Sequence, residues 1–146
     1  MSVKMNFNLN KINLDLHREL NRAGEIISRD HFLRLESGKD VSGSQMTPLK
    51  GATIDRKGFN QILVDTGQMR NLVIERATKS NQVVEVHPGR IRKYKGTNVT
   101  MADVGGFHQK GNKNLPKREW FGISSDAEKR IMKFMRDRIR REIISA

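Results

Sequence analysis

The residues between 105 and 125 constrain this chain more than any other stretch. Gly105-Gly106-Phe107-His108-Gln109-Lys110-Gly111 reads as a glycine-bearing loop followed by a basic polar turn. Leu115-Pro116-Lys117-Arg118-Glu119-Trp120-Phe121-Gly122-Ile123-Ser124-Ser125 then leads into a helix. Pro116 forbids helix continuation and biases Leu115 towards extended backbone. The only Trp of the chain and one of its six Phe stand side by side at 120 and 121, and side chains of that size seek a core. The segment is therefore an anchor that plugs back into the fold just before the last helix.

The rest of the chain offers that anchor a lean core. At 146 residues the sequence has the length of one domain, but its 36% hydrophobic content falls below the roughly 45–50% of an ordinary globular chain. Either some segments stay loose or partner subunits complete the burial. The charge is lopsided, 28 Lys and Arg against 16 Asp and Glu, for a net +12. Between Lys79 and Arg118 nine basic residues meet only Glu85 and Asp103. A field of that sign attracts polyanions, either nucleic acid or an acidic protein surface. The absence of cysteine excludes disulfides, thiolate zinc sites and Cys nucleophiles. No apolar run reaches the ~18 residues of a membrane span, and no signal-peptide core opens the chain. The expectation is a soluble protein made in a cytoplasm, with no membrane partner.

Residues 1–12 alternate Met5, Phe7 and Leu9 with asparagines, a strand period too short to stand alone. They read as an extended arm that adds to a sheet edge, the chain's own or a neighbour's, or else frays. Residues 13–146 read as a single α+β domain. Leu16, Leu20, Ala23 and Ile27, with Leu33 following, place a helix over 13–35. Asn13 or Asp15 caps it, and Arg18, Glu19, Arg22, Glu25 and Arg29 form its solvated face. Residues 37–44 and Met46-Thr47-Pro48-Leu49 make a long connector with one helical turn at 53–57. Asp65 and Thr66 are N-cap types, and Leu63 with Met69 could staple a short helix that feeds a strand. Residues 72–78 and 83–87 form an antiparallel hairpin ended by Pro88-Gly89. Arg90-Ile91-Arg92-Lys93-Tyr94-Lys95 is a third strand or a basic loop, and Arg90, Arg92, Lys93 and Lys95 are candidate polyanion contacts. A capping box at Ser125-Asp126-Ala127-Glu128 starts the last helix, whose apolar stripe is Ala127, Ile131, Phe134, Met135, Ile139 and Ile143. The fold class is thus a small antiparallel sheet packed against an N-terminal and a C-terminal helix, with long loops.

Catalytic signatures are sparse. His87 and His108, with Asp103 or Glu119, supply the minimum for acid–base work, but no His-Glu-x-x-His helix, Gly-x-Ser-x-Gly elbow or phosphate loop is present. The reading is non-enzymatic, with no cofactor and no metal.

The order Thr47-Pro48-Leu49, Thr53, Lys57, Ile62-Leu63-Val64-Asp65-Thr66-Gly67-Gln68-Met69-Arg70, Ala102, His108-Gln109-x-Gly111 and Pro116-x-Arg118-x-x-x-Gly122 resembles the phage virion morphogenesis family. These are the tail-completion and head–tail joining proteins of tailed phages and prophages. The resemblance spans about 46–124. The chain departs from the family in having Met46 where an aromatic, often Trp, is common, Lys117 where a small residue is usual, and a longer segment over 93–104. The resemblance implies a ring-forming structural protein of the virion neck, assembled in the host cytoplasm. Its implied partners are itself, other neck, portal-side or tail-tube proteins, and the DNA that passes through. Under it, Asp65, Thr66 and Gly67 fix a helix-to-strand corner, and His108, Gly111, Pro116 and Arg118 fix the anchor loop. Pro48, Leu49, Leu63, Trp120, Phe121 and Gly122 complete a set of interface determinants with no catalytic member. The alternative from composition alone is a basic module that grips the phosphate backbone of nucleic acid.

Overall fold

The computed structural model describes residues 1–6, 14–64, 67–89 and 96–145. In chain order these form β1 (Val3–Asn6), α1 (His17–Glu36), α2 (Gly51–Lys57), β2 (Leu72–Glu75), β3 (Val83–Pro88), α3 (Met101–Lys110) and α4 (Ser125–Ser145). A 3-10 turn at Gln68–Arg70 precedes β2. The three strands make one antiparallel sheet in the order β1-β3-β2. The architecture is α+β, as the hydrophobic periods predict: the N-terminal helix α1 lies on β2 and β3, and the C-terminal helix α4 packs against α1.

Register decides which strand residues face inward. Val3 pairs with Val86, Met5 with Val84, and Ile74 with Val86, so these apolar side chains share one face. Leu16, Leu20, Ala23 and Ile27 of the α1 region close over that face, and Ile131 and Met135 of α4 complete the cluster. The opposite face carries charge: Lys4 pairs with Glu85 at 3.3 Å, and the His87 ring meets Glu75 at 3.0 Å. A second core lies at the other end of α1, built from Leu35, Met46, Leu63, Met69, Trp120 and Phe121. No helix among the described residues is long and apolar enough to cross a membrane.

Several expected boundaries shift, each for a local reason. The arm pairs its residues 3–6 with the chain's own β3, while 7–12 and the expected cap Asn13 lie outside the described residues. The first helix begins at His17, not at 13. Leu16 is its N-cap, with its amide bound to the Gln82 side chain at 2.7 Å, and the Asp15 carboxylate accepts from the His17 amide. Leu33 does not continue the stripe; it is exposed, and the buried turn is instead His31, Arg34 and Leu35. The charged face of α1 is not simply solvated. Glu19 binds Arg138 of α4 at 3.0 Å, Glu25 binds Arg76 at 2.9 Å, and Arg22 lies 5.0 Å above the Phe134 ring. β2 stops short of 78 because the Asn21 side chain takes both backbone groups of Ala77, at 2.7 and 3.0 Å. The cap of α4 is Ser124 and not Ser125: its hydroxyl accepts from the Ala127 amide at 3.2 Å. Ile143, expected in the stripe, is exposed.

The largest difference lies in the anchor. Residues 105–110 are not a loop but most of α3, whose start is set by a reciprocal box between Thr100 and Asp103. The Thr100 hydroxyl, at 2.7 Å, and its amide, at 2.9 Å, both donate to the Asp103 carboxylate and hold it below its usual pKa. Gly105 and Gly106 each cost such a helix roughly 1 kcal/mol.

Candidate functional site

Trp120 is the centre of the second core. Fully buried, it donates its indole N–H to the Gly105 carbonyl at 2.8 Å. A Cβ on Gly105 would fall 2.3 Å from the Trp120 ring, so α3 reaches the indole only because residue 105 has no side chain. Phe121 and His31 surround the same ring, with centroids 5.6 and 5.4 Å from it. The loop that carries the aromatic pair is then bound from both sides. The Arg34 guanidinium reaches the carbonyls of Trp120 and Gly122 at 3.2 and 3.3 Å while its Nε pairs with Asp30 at 2.8 Å. Asp30 also accepts from the Ser124 hydroxyl. On the other side the Gln109 amide brackets Phe121, donating to its carbonyl and accepting from its N–H.

Arg118 does for the connector what Arg34 does for the anchor. It is 5% exposed, and its Nε and Nη2 both donate to the Thr47 carbonyl, at 3.2 and 3.1 Å, with Pro48 O at 3.5 Å. Its backbone N–H is bound to His108 O at 2.8 Å. The guanidinium stands 3.4 Å from His108 Nδ1. Burial and then that positive neighbour push His108 down to about 4, so a neutral ring faces the cation. Gly111 ends α3 at φ +66, where a Cβ would lie 2.7 Å from the Lys117 amide nitrogen. The turn from α3 into the Pro116 segment therefore admits only glycine.

These elements enclose a cavity of about 490 Å³ between the connector, α2, residues 63–64 and 68–69, α3 and the 114–118 turn. Pro48, Leu49, Leu63, His108, Pro116 and Arg118, scattered over 71 positions of sequence, all line it. Leu63 occupies the left-handed region at φ +58, a conformation that costs a leucine roughly 1–2 kcal/mol. Of the remaining expected determinants, Gly67 caps the 3-10 turn. Trp120, Phe121 and Gly122 belong to the anchor behind the cavity wall. Asp65 and Thr66, and the basic set Arg90, Arg92, Lys93 and Lys95, lie outside the described residues.

The four acid–base candidates are not joined. The His87 ring is held by Glu75 and Pro88 O, Asp103 by Thr100, and Glu119 by Lys117, and among the described residues no hydrogen bond links His87 to His108. No group of three or more His, Cys, Asp or Glu among the described residues is arranged to hold a metal ion. Sequence reasoning missed Asp30, His31 and Arg34. The signal that could have found the pair is a charged residue, Arg34, on the continuation of the apolar stripe with Asp30 one turn before it. No family model, curated protein or solved structure matches this chain.

Replacing Arg118 with lysine keeps the charge but loses the fork that binds one carbonyl twice. The expected result is a loss of roughly 1–3 kcal/mol in urea unfolding and faster tryptic cleavage after Lys50. An unchanged cleavage rate would show that the connector is held by other contacts.

Proposed function

We propose that this chain is a structural protein of a tailed-phage or prophage virion, acting in tail completion and head–tail joining as a ring at the neck. The observation that carries the reading is the convergence of its spaced motif residues on one cradle. Arg118 there, like Arg34 at the anchor behind it, binds backbone carbonyls, which is how residues act when their task is to hold loops in shape. The sheet supports the same reading, because among the described residues β1 and β2 each pair on one side only, and open edges are surfaces on which identical copies can join. The lean composition fits a chain whose burial is completed by assembly.

The second reading, a backbone-binding nucleic-acid module, draws on α4, where Lys129, Arg130, Lys133, Arg136 and Arg140 are all exposed. Multi-angle light scattering of the purified protein at low and high salt, with and without a short DNA duplex, separates the two. The neck reading expects a discrete large homo-oligomer without DNA. A monomer whose mass shifts only with the duplex, and reverts at high salt, would replace it with the nucleic-acid reading.

A further inference from the structure

The cavity has one chemistry inside and another at its mouth. Leu49, Leu63, Val64, Met69, Val104 and Leu115 give it an apolar interior. Its charged wall residues are Lys50, Arg56, Lys57 and Arg118, and no Asp or Glu is among the described residues that line it. Arg118 is bound to the neutral carbonyls of Thr47 and Pro48, and the adjacent His108 is uncharged at neutral pH. Among the described residues, the positive charge at the back of the cavity meets no carboxylate of the lining. Lys50 and Arg56 are exposed at the rim. A half-enclosed apolar space with cations around it concentrates field and favours an anion with an apolar body. The strained backbone of Leu63 sits in the same wall, and strain of this kind collects where a ligand is clamped.

A volume of about 490 Å³ lies within the roughly 300–1,000 Å³ typical of pockets that hold a small molecule or side chains. A second copy of this chain is a poor occupant, since at +12 its surface repels the rim. We propose that the cavity docks an acidic segment of a neighbouring protein. The segment inserts one apolar side chain over Leu49 and Val104, and its flanking carboxylates pair with Lys50 and Arg56. The inference rests on the head–tail reading for its partner being another protein of the particle. The pairing gives that partner register and orientation as well as affinity.

The test uses the full chain, 15N-labelled, titrated with acetyl-Asp-Glu-X-Asp-Glu-amide peptides in which X is Leu, Phe, Trp or Ser, and with a Lys-Arg-Leu-Lys-Arg counterpart. Expected are amide shifts clustered at 47–57, 63–69, 104–108 and 114–118 with an apolar X, absent with Ser and with the basic peptide. The double variant Lys50→Glu/Arg56→Glu, altered only at exposed positions, should weaken binding about tenfold or more. No shifts with any apolar peptide at millimolar concentration, or shifts indifferent to the double variant, would overturn the proposal. So would a response confined to dodecanoate or to a DNA duplex, which would reassign the cavity to a small amphipathic acid or to phosphate. Peptide binding by a protein that stays monomeric in every condition would retain the cavity's role and remove the ring. A ring that ignores every peptide would do the reverse.

Discussion

Gly105→Ala is expected to be the most destabilising single-methyl change in the chain, costing about 3 kcal/mol or more in urea unfolding. The added carbon would stand 2.3 Å from the Trp120 ring, and neither side has room to retreat. The indole is fully buried between His31 and Phe121, and the loop that carries it is tied to Arg34 and Gln109. The helix must therefore move away, which breaks the indole bond to the Gly105 carbonyl and opens the wall formed by Val104 and His108. Gly106→Ala is the control. Nothing lies within 4 Å of its Cβ position, so alanine there should stabilise α3 by up to roughly 1 kcal/mol. Similar midpoints for the two variants would show that α3 is not seated on Trp120.

Mild acid should destabilise the protein well before its carboxylates protonate. Burial, reinforced by the Arg34 charge, pushes His31 down to about 4 from an ordinary 6.5, although its ring bonds Met69 O at 2.8 Å. Its Nδ1 is buried without a hydrogen-bond partner, and burial outweighs the help that the Met69 and Trp120 backbone gives the protonated ring. Between pH 6.5 and 4 the unfolded chain binds this proton and the folded chain does not. Stability therefore rises with pH through that window and is complete above it. The His31 shift corresponds to about 3 kcal/mol lost on descending from pH 7 to below 4. His108, shifted in the same direction but less enclosed, adds to the slope. Urea midpoints at pH 7, 6, 5 and 4.5 should fall steadily for the wild type. They should fall less for His31→Gln, in which nothing at that site titrates. A flat wild-type profile, or an identical slope in the variant, would place the acid sensitivity elsewhere.

The two long helices, the β2–β3 hairpin and the Trp-Phe anchor are legible in the sequence because each follows from a repeat or a punctuation that one segment contains by itself. Helix α3 is not legible that way. Its two adjacent glycines argue against a helix, and what overrides them is Trp120, fifteen residues beyond Gly105. His31 and Arg34 escape for a related reason. A stripe of apolar residues marks the buried face of α1, but the same face goes on to bury polar groups wherever another segment supplies carbonyls, as Met69, Trp120 and Gly122 do. Of the cradle, only the resemblance to a known family groups Pro48, Leu63, His108, Pro116 and Arg118; no local period or punctuation does. That they enclose a volume, with cations and no described acid around it, emerges only when the segments are brought into contact.

Three alternating strands among the described residues have a directional consequence. Because β1 and β2 are both antiparallel to β3, the two outer edges run the same way. Copies related by a rotation smaller than a right angle keep their strand directions, so β2 of one meeting β1 of the next would form a parallel seam inside an otherwise antiparallel wall. A two-fold pair would instead join like edges antiparallel. Parallel ladders are slanted and slightly weaker per residue. Closure into a ring would thus compete against a dimer that each copy is equally equipped to make, and the outcome would rest with contacts beyond the strands. The polarity of one short seam would report which symmetry had won.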